Sequence, residues 1–156
     1  MNSTANTSSL LATYETTTLE QLRHLATHIA SAIPASTWIY LHGDLGTGKT
    51  TFAQFFIHAM GFQGRVKSPT YSLVEHYHTP HGPVMHMDLY RLTDPEELYF
   101  LGLDDWLQED KPVALVEWPE NGQGLLPPAD LALHFSIQGQ KRSVTVHGKH
   151  KVFSLS

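Results

Sequence analysis

His42–Phe52 reads HGDLGTGKTTF, with three glycines and a lysine within seven residues. Glycine loses more backbone freedom on folding than any other residue, so this density calls for a reason. Gly43-Asp44-Leu45-Gly46-Thr47-Gly48-Lys49-Thr50 fits the pattern G-x-x-x-x-G-K-[ST] of a phosphate-binding loop. Glycines let successive backbone N–H groups turn inward around an anion, and a helix that follows adds its positive end. In such a loop Lys49 reaches the β- and γ-phosphates of a nucleotide, and the Thr50 hydroxyl ligates Mg²⁺.

The flanks decide between that reading and a chance glycine turn. Ser36–His42, STWIYLH, is short, apolar and β-rich, and predicts a buried strand. Thr50–Met60, TTFAQFFIHAM, carries Phe52, Phe55, Phe56, Ala59 and Met60 on one helical face, with Gly61 in the C-cap position. The loop therefore lies between a strand and a helix, the setting that phosphate binding requires.

Such a loop needs an acidic group on a neighbouring strand to hold the metal, directly or through water. Glu117 follows four apolar residues in VALVEW, and Asp88 is placed the same way in VMHMDLY. Either alone reads as an ordinary strand-end carboxylate. Two in one chain with this loop predict that both face the phosphates, around a Mg²⁺ with oxygen ligands. No N-K-x-D-type guanine loop occurs. ATP is the expected nucleotide, with GTP left open.

The rest of the chain supplies a scaffold. Leu10–Tyr14 reads as a short edge strand, and Thr17–Ile33 as an amphipathic helix with Thr17 and Glu20 spaced as a capping box. Thr70–His78 and Pro83–Leu92 read as an antiparallel hairpin turned by TPHGP. A short helix follows, with Asp94 as cap, Pro95 in first position and Gly102 as stop, and DDWLQED reads as one further turn. Val113–Glu117, Ala129–Ile137 and Arg142–Gly148 read as strands, and KVFSLS offers another. Helices alternate with strands early and strands meander late. This order predicts an α/β fold, a P-loop NTPase-type three-layer sandwich around a mixed parallel and antiparallel sheet. One domain is expected over residues 1–156, with residues 1–9 disordered.

Composition narrows the function classes. The chain has no cysteine, which excludes disulfides, thiolate catalysis and cysteine-held metals. A formal charge of -5 argues against strong nucleic-acid binding by the chain alone. No apolar run approaches the roughly 20 residues of a membrane span, and the start lacks the pattern of a secretory signal, so a cytoplasmic protein is expected. Eleven histidines invite a zinc reading, notably His24 with His28 and the run HYHTPH. No HExxH or fixed three-ligand set accompanies them, so packing and surface roles are expected instead. Arg65 and Arg91 read equally as phosphate-neutralising groups or ion-pair partners.

Four ordered blocks carry a family resemblance: GDLGTGKTTF, VKSPTYSLVE, MDLYRLTDPEEL with LG after it, and LVEWPE. With them the chain resembles the TsaE (YjeE) ATPases, small bacterial P-loop proteins required for making threonylcarbamoyladenosine in tRNA. The resemblance runs from about Thr18 to Ser143. It implies that Lys49 and the loop, from Asp44, Leu45, Gly46, Thr47 and Gly48 through Thr50 and Thr51, hold the phosphates. Thr50 and Glu117 would ligate Mg²⁺, and Asp88 would orient or activate the attacking water. Ser68, Pro69, Thr70 and Tyr71 would form a switch-like segment, Trp118 would stand beside the metal-holding acid, and Thr18 near the nucleotide base. One departure is visible: the family has glycine in a TLxxLG block where this chain reads TLEQLRHLA. The implied partners are a TsaB–TsaD-type complex and, through it, tRNA. Two rivals remain from other classes, a small-molecule kinase and a nucleotide-gated binding module in which hydrolysis is not essential.

Overall fold

The computed structural model describes residues 9–122 and 124–148. At its centre four strands run parallel: β2 (Trp38–His42), β4 (Gly82–Asp88), β5 (Val113–Glu117) and β6 (Leu131–Gln138). Antiparallel strands β1 (Ser9–Glu15), β3 (Val74–Thr79) and β7 (Lys141–Gly148) complete the edges. The seven form one sheet in the order β1-β7-β6-β2-β5-β4-β3. All five residues of β5 are buried, as expected of a parallel strand covered on both faces.

Side chains alternate between two apolar layers because the strand period is two. Ile39, Leu41, Val84, Val113 and Leu115 pack with Leu25 and Ile29 of α1 (Leu19–Ala32) and Phe52 and Phe56 of α2 (Lys49–Ala59). Trp38, Met85, Met87, Ala114 and Val116 pack with Leu98 of α3 (Glu97–Leu101), Leu103 of α4 (Leu103–Asp105) and Trp106 in the wide turn that follows. Each fully buried side chain of this size contributes about 1.5–3 kcal/mol. The same alternation, continued from Val84 through His86 to Asp88 and from Leu115 to Glu117, aims the polar strand ends toward the α1–α2 layer. Asp88 and Glu117 are register partners across β4 and β5.

The fold is the mixed α/β sandwich expected, with several local corrections. The capping box of α1 is formed by Thr18 and Gln21, not Thr17 and Glu20: Gln21 N donates to Thr18 Oγ1 at 3.1 Å, and Thr18 N to Gln21 Oε1 at 2.9 Å. Thr17 is diverted, since its Oγ1 accepts the Arg142 N–H at 3.1 Å. Both hairpin strands stop short at the open end, at Val74 and Asp88, and each runs one residue further into the turn, to Thr79 and Gly82. Leu73 N closes a turn on Pro69 O with Leu73 at φ +69°, so the residues before Val74 leave the extended path after one last bond from Asp88 N to Leu73 O. The helix after the glycine loop begins at Lys49, one residue early. Ser9, placed in the expected disordered start, belongs to β1. The strand expected in KVFSLS and the rest of the expected disorder lie outside the described residues.

Gly43 opens the glycine loop at φ +147°, and a Cβ there would stand 2.8 Å from Phe135 O and 2.9 Å from Thr47 Oγ1. Backbone atoms of β6 cannot yield as a flexible side chain would. Gly43→Ala is expected to destabilise the fold by about 2 kcal/mol or more, read as a lowered midpoint in urea with unchanged slope.

Candidate active site

The loop between β2 and α2 turns through left-handed backbone at Gly46 (φ +80°) and Gly48 (φ +107°). Gly48 occupies the N-cap of α2 and offers no side-chain cap, so the orphan amides of the first turn stay open to an anion. Thr47 Oγ1 donates to Asp44 O at 2.7 Å and Arg142 Nη1 to Gly46 O at 3.0 Å, which brace the loop from within and from β7.

Lys49 is buried, with its Nζ donating to Gly43 O and standing 3.9 Å above the centre of the Trp118 ring. Burial pulls the Lys49 ammonium below its ordinary range, while Glu117, Asp88, Glu120 and Asp44 oppose that pull. Trp118 holds its place through left-handed backbone at φ +56° and a ring contact with Tyr90 at 5.0 Å. A cation over an indole face is attracted by the ring quadrupole.

On the next residue, Thr50 Oγ1 shares its proton between the two Glu117 oxygens, at 2.9 and 3.0 Å. Glu117 Oε2 also accepts from His86 Nε2 at 2.7 Å. Asp88 is 9% exposed, and its Oδ1 accepts the Tyr90 N–H at 3.1 Å. Burial raises the Asp88 carboxyl above the usual range and Glu117 adds to this, while the Tyr90 amide, His86 and Lys49 lower it.

These groups meet in a cleft of about 480 Å³ at the carboxyl ends of the central strands. Leu45, Gly46, Gly48, Lys49, Thr50 and Thr51 line one side of it, and Asp88, Glu117 and Trp118 the other. Thr70 reaches the cleft, whereas its hydrogen-bond partner Ser68 and the exposed Asp44 do not line it. Thr18 and Thr47 line a second, smaller hollow of about 290 Å³, which shares Gly48, Thr51 and Arg142 with the first.

Sequence reasoning missed Arg142, Tyr90 and His86. Arg142 carries no motif and reaches the loop only because β7 returns beside β1 and β6. His86 had a usable signal, since it lies two residues before Asp88 on the same strand face. Arg91 lines the cleft with its guanidinium 4.7 Å above the Tyr71 ring, while Arg65 is exposed away from it.

A glycine loop linking a central parallel strand to a helix, with two strand-end carboxylates facing that helix, defines the architecture of the P-loop NTPase-type α/β proteins. The family model "Threonylcarbamoyl adenosine biosynthesis protein TsaE" matches residues 16–145. The chain belongs to the TsaE family. It is 47% identical over 106 residues to the tRNA threonylcarbamoyladenosine biosynthesis protein TsaE of Haemophilus influenzae, a match covering 68% of this chain and 66% of that relative. It is 32% identical over 136 residues to the TsaE of Rickettsia prowazekii, covering 86% of this chain and 93% of the relative. Among solved structures, "Crystal structure of Bacillus subtilus YdiB" superposes with a TM-score of 0.72 at 26% identity, covering 92% of this chain and 88% of that one. No helix among the described residues is long and apolar enough to cross a membrane.

Proposed function

We propose that this chain binds ATP with Mg²⁺ and hydrolyses it, as the energising or resetting subunit of a cytoplasmic assembly that makes threonylcarbamoyladenosine in tRNA. Its partners are a TsaB–TsaD-type complex and, through that complex, tRNA. The carrying observation is the convergence of Lys49, Thr50, Asp88 and Glu117 in one cleft beside open helix-terminal amides. The donor set suits the ligands: amides and an ammonium for phosphates, and a hydroxyl with carboxylate oxygens for a hard cation.

Phosphoryl transfer needs positioning and charge stabilisation more than covalent help from the protein. Backbone amides from Gly46 to Thr50 and the Lys49 ammonium would bind and orient the phosphates. Thr50 and Glu117 would hold Mg²⁺, which when bound would neutralise charge on the phosphates. Asp88 would orient the attacking water and accept its proton, a task helped by burial that raises its proton affinity. Both arginines in the cleft are already engaged, Arg91 on Tyr71 and Arg142 on Gly46 O. Turnover by the lone chain should therefore stay below about 1 s⁻¹ and rise when the partner orders the site. The small-molecule kinase lacks a specific observation in its favour. The gated module has one: Tyr71 is 82% exposed, next to the cleft-lining Thr70, where a nucleotide would order the segment for docking.

Calorimetry with ATP and magnesium, followed by turnover with and without the partner complex, tests the proposal. Saturable heat and partner-stimulated phosphate release are expected. No heat in either setting would sink it.

A further inference from the structure

We infer that His86 is the positioning residue of the cation site, fixing the Glu117 carboxylate against Thr50 so that its geometry is set before Mg²⁺ arrives. The inference rests on the Mg²⁺-nucleotide reading above and concerns a residue that neither the glycine loop nor the two carboxylates account for.

His86 is 0% exposed in the middle of β4. Its Nε2 lies 2.7 Å from Glu117 Oε2, and since a carboxylate accepts, Nε2 carries the proton. Its Nδ1 is buried without a hydrogen-bond partner among the described residues. An unpaired buried nitrogen costs stability, so packing alone would be served better by an apolar side chain of similar size. What the imidazole adds is the single bond to Glu117.

That bond completes a chain of contacts across three elements. Glu117 ends β5, Thr50 lies in the first turn of α2 and His86 lies on β4, and the carboxylate is tied to both of the others. A glutamate held by Thr50 alone keeps torsional freedom that must be lost on binding a cation. With Oε2 held by His86 and the Thr50 proton shared between both oxygens, Oε1 is the less engaged of the two and the one left for a cation or its water. Partners that orient a metal ligand in this way typically contribute 10–100-fold in metal affinity.

The test compares wild type with His86→Leu, His86→Gln and His86→Asn, titrating Mg²⁺ into protein with a non-hydrolysable ATP analogue. His86→Leu should raise the Mg²⁺ midpoint about 10–100-fold while leaving analogue binding in EDTA unchanged. Gln places an amide N–H near Nε2 and should restore most of the loss. Asn is too short and should not. An unchanged midpoint in His86→Leu would overturn the inference.

Should the leucine variant not fold, nitrogen NMR of the wild-type protein decides. An Nε2–H tautomer is expected, with a ring proton signal that moves on adding analogue with Mg²⁺ but not analogue with EDTA. An Nδ1–H tautomer, or a signal indifferent to Mg²⁺, would overturn it. Wild-type protein that binds no nucleotide at all would overturn both this inference and the functional reading. Normal wild-type binding with an unchanged His86→Leu midpoint overturns this inference alone.

Discussion

Lys49→Ala is expected to weaken ATP binding by at least about a hundredfold, because truncating one partner of a desolvated charge pair costs about 3 kcal/mol or more. Lys49 is 4% exposed and is aimed by three features: the Gly43 carbonyl, the Trp118 ring and the start of α2. The substitution also leaves Asp88 and Glu117 without their cationic neighbour, so a loss of stability could imitate a loss of binding. Lys49→Met keeps an unbranched stem over Trp118 and so removes the charge without the packing. Both variants should lose the heat of binding while keeping the far-ultraviolet spectrum of the folded chain. Retained affinity in a folded Lys49→Met protein would mean that the glycine loop does not grip the phosphates.

Asp88→Asn is expected to separate binding from turnover and to move stability in the opposite direction from activity. Asparagine preserves the oxygen that accepts the Tyr90 N–H but cannot take a proton from water. Turnover should fall about 10²- to 10⁴-fold with nucleotide affinity retained. Burial raises the Asp88 proton affinity in the folded chain, so the folded state holds a proton that the unfolded state releases more readily. The ionised carboxylate therefore destabilises the fold, increasingly as pH rises from the unfolded-state value of about 3.9 through the higher folded-state value, and fully above it. Asp88→Asn should melt higher than wild type at pH 7 in EDTA, and the gain should vanish below about pH 4. An equal or lower melting point at pH 7 would mean that Asp88 carries no burial penalty. If tRNA modification survives Asp88→Asn with turnover gone, hydrolysis is dispensable and the nucleotide-gated module is the better account.

Much of the site was legible because its parts are local. The glycine spacing, the strand before it and the helix after it lie within one short stretch, where backbone entropy and periodicity act directly. Asp88 and Glu117 could be singled out because each ends an apolar run on a strand. The α1 cap was legible as a motif but not in register, since both Thr17 and Thr18 stand three residues before a capping partner. Arg142 settled the choice by taking the Thr17 hydroxyl, and it lies 125 residues away.

The chain's own pattern determined that a glycine loop would join a buried strand to a helix, that a threonine hydroxyl would stand at the start of that helix, and that two carboxylates would end strands. Only the tertiary structure decided that β4 pairs with β5 so that Asp88 lies beside Glu117, that Thr50 meets a carboxylate 67 residues on, and that His86 bonds the same carboxylate. The physical reason is range. Helix caps and glycine turns are set by neighbours a few residues apart, whereas strand register follows from burying both faces of a sheet at once, a condition that no short segment can satisfy by itself.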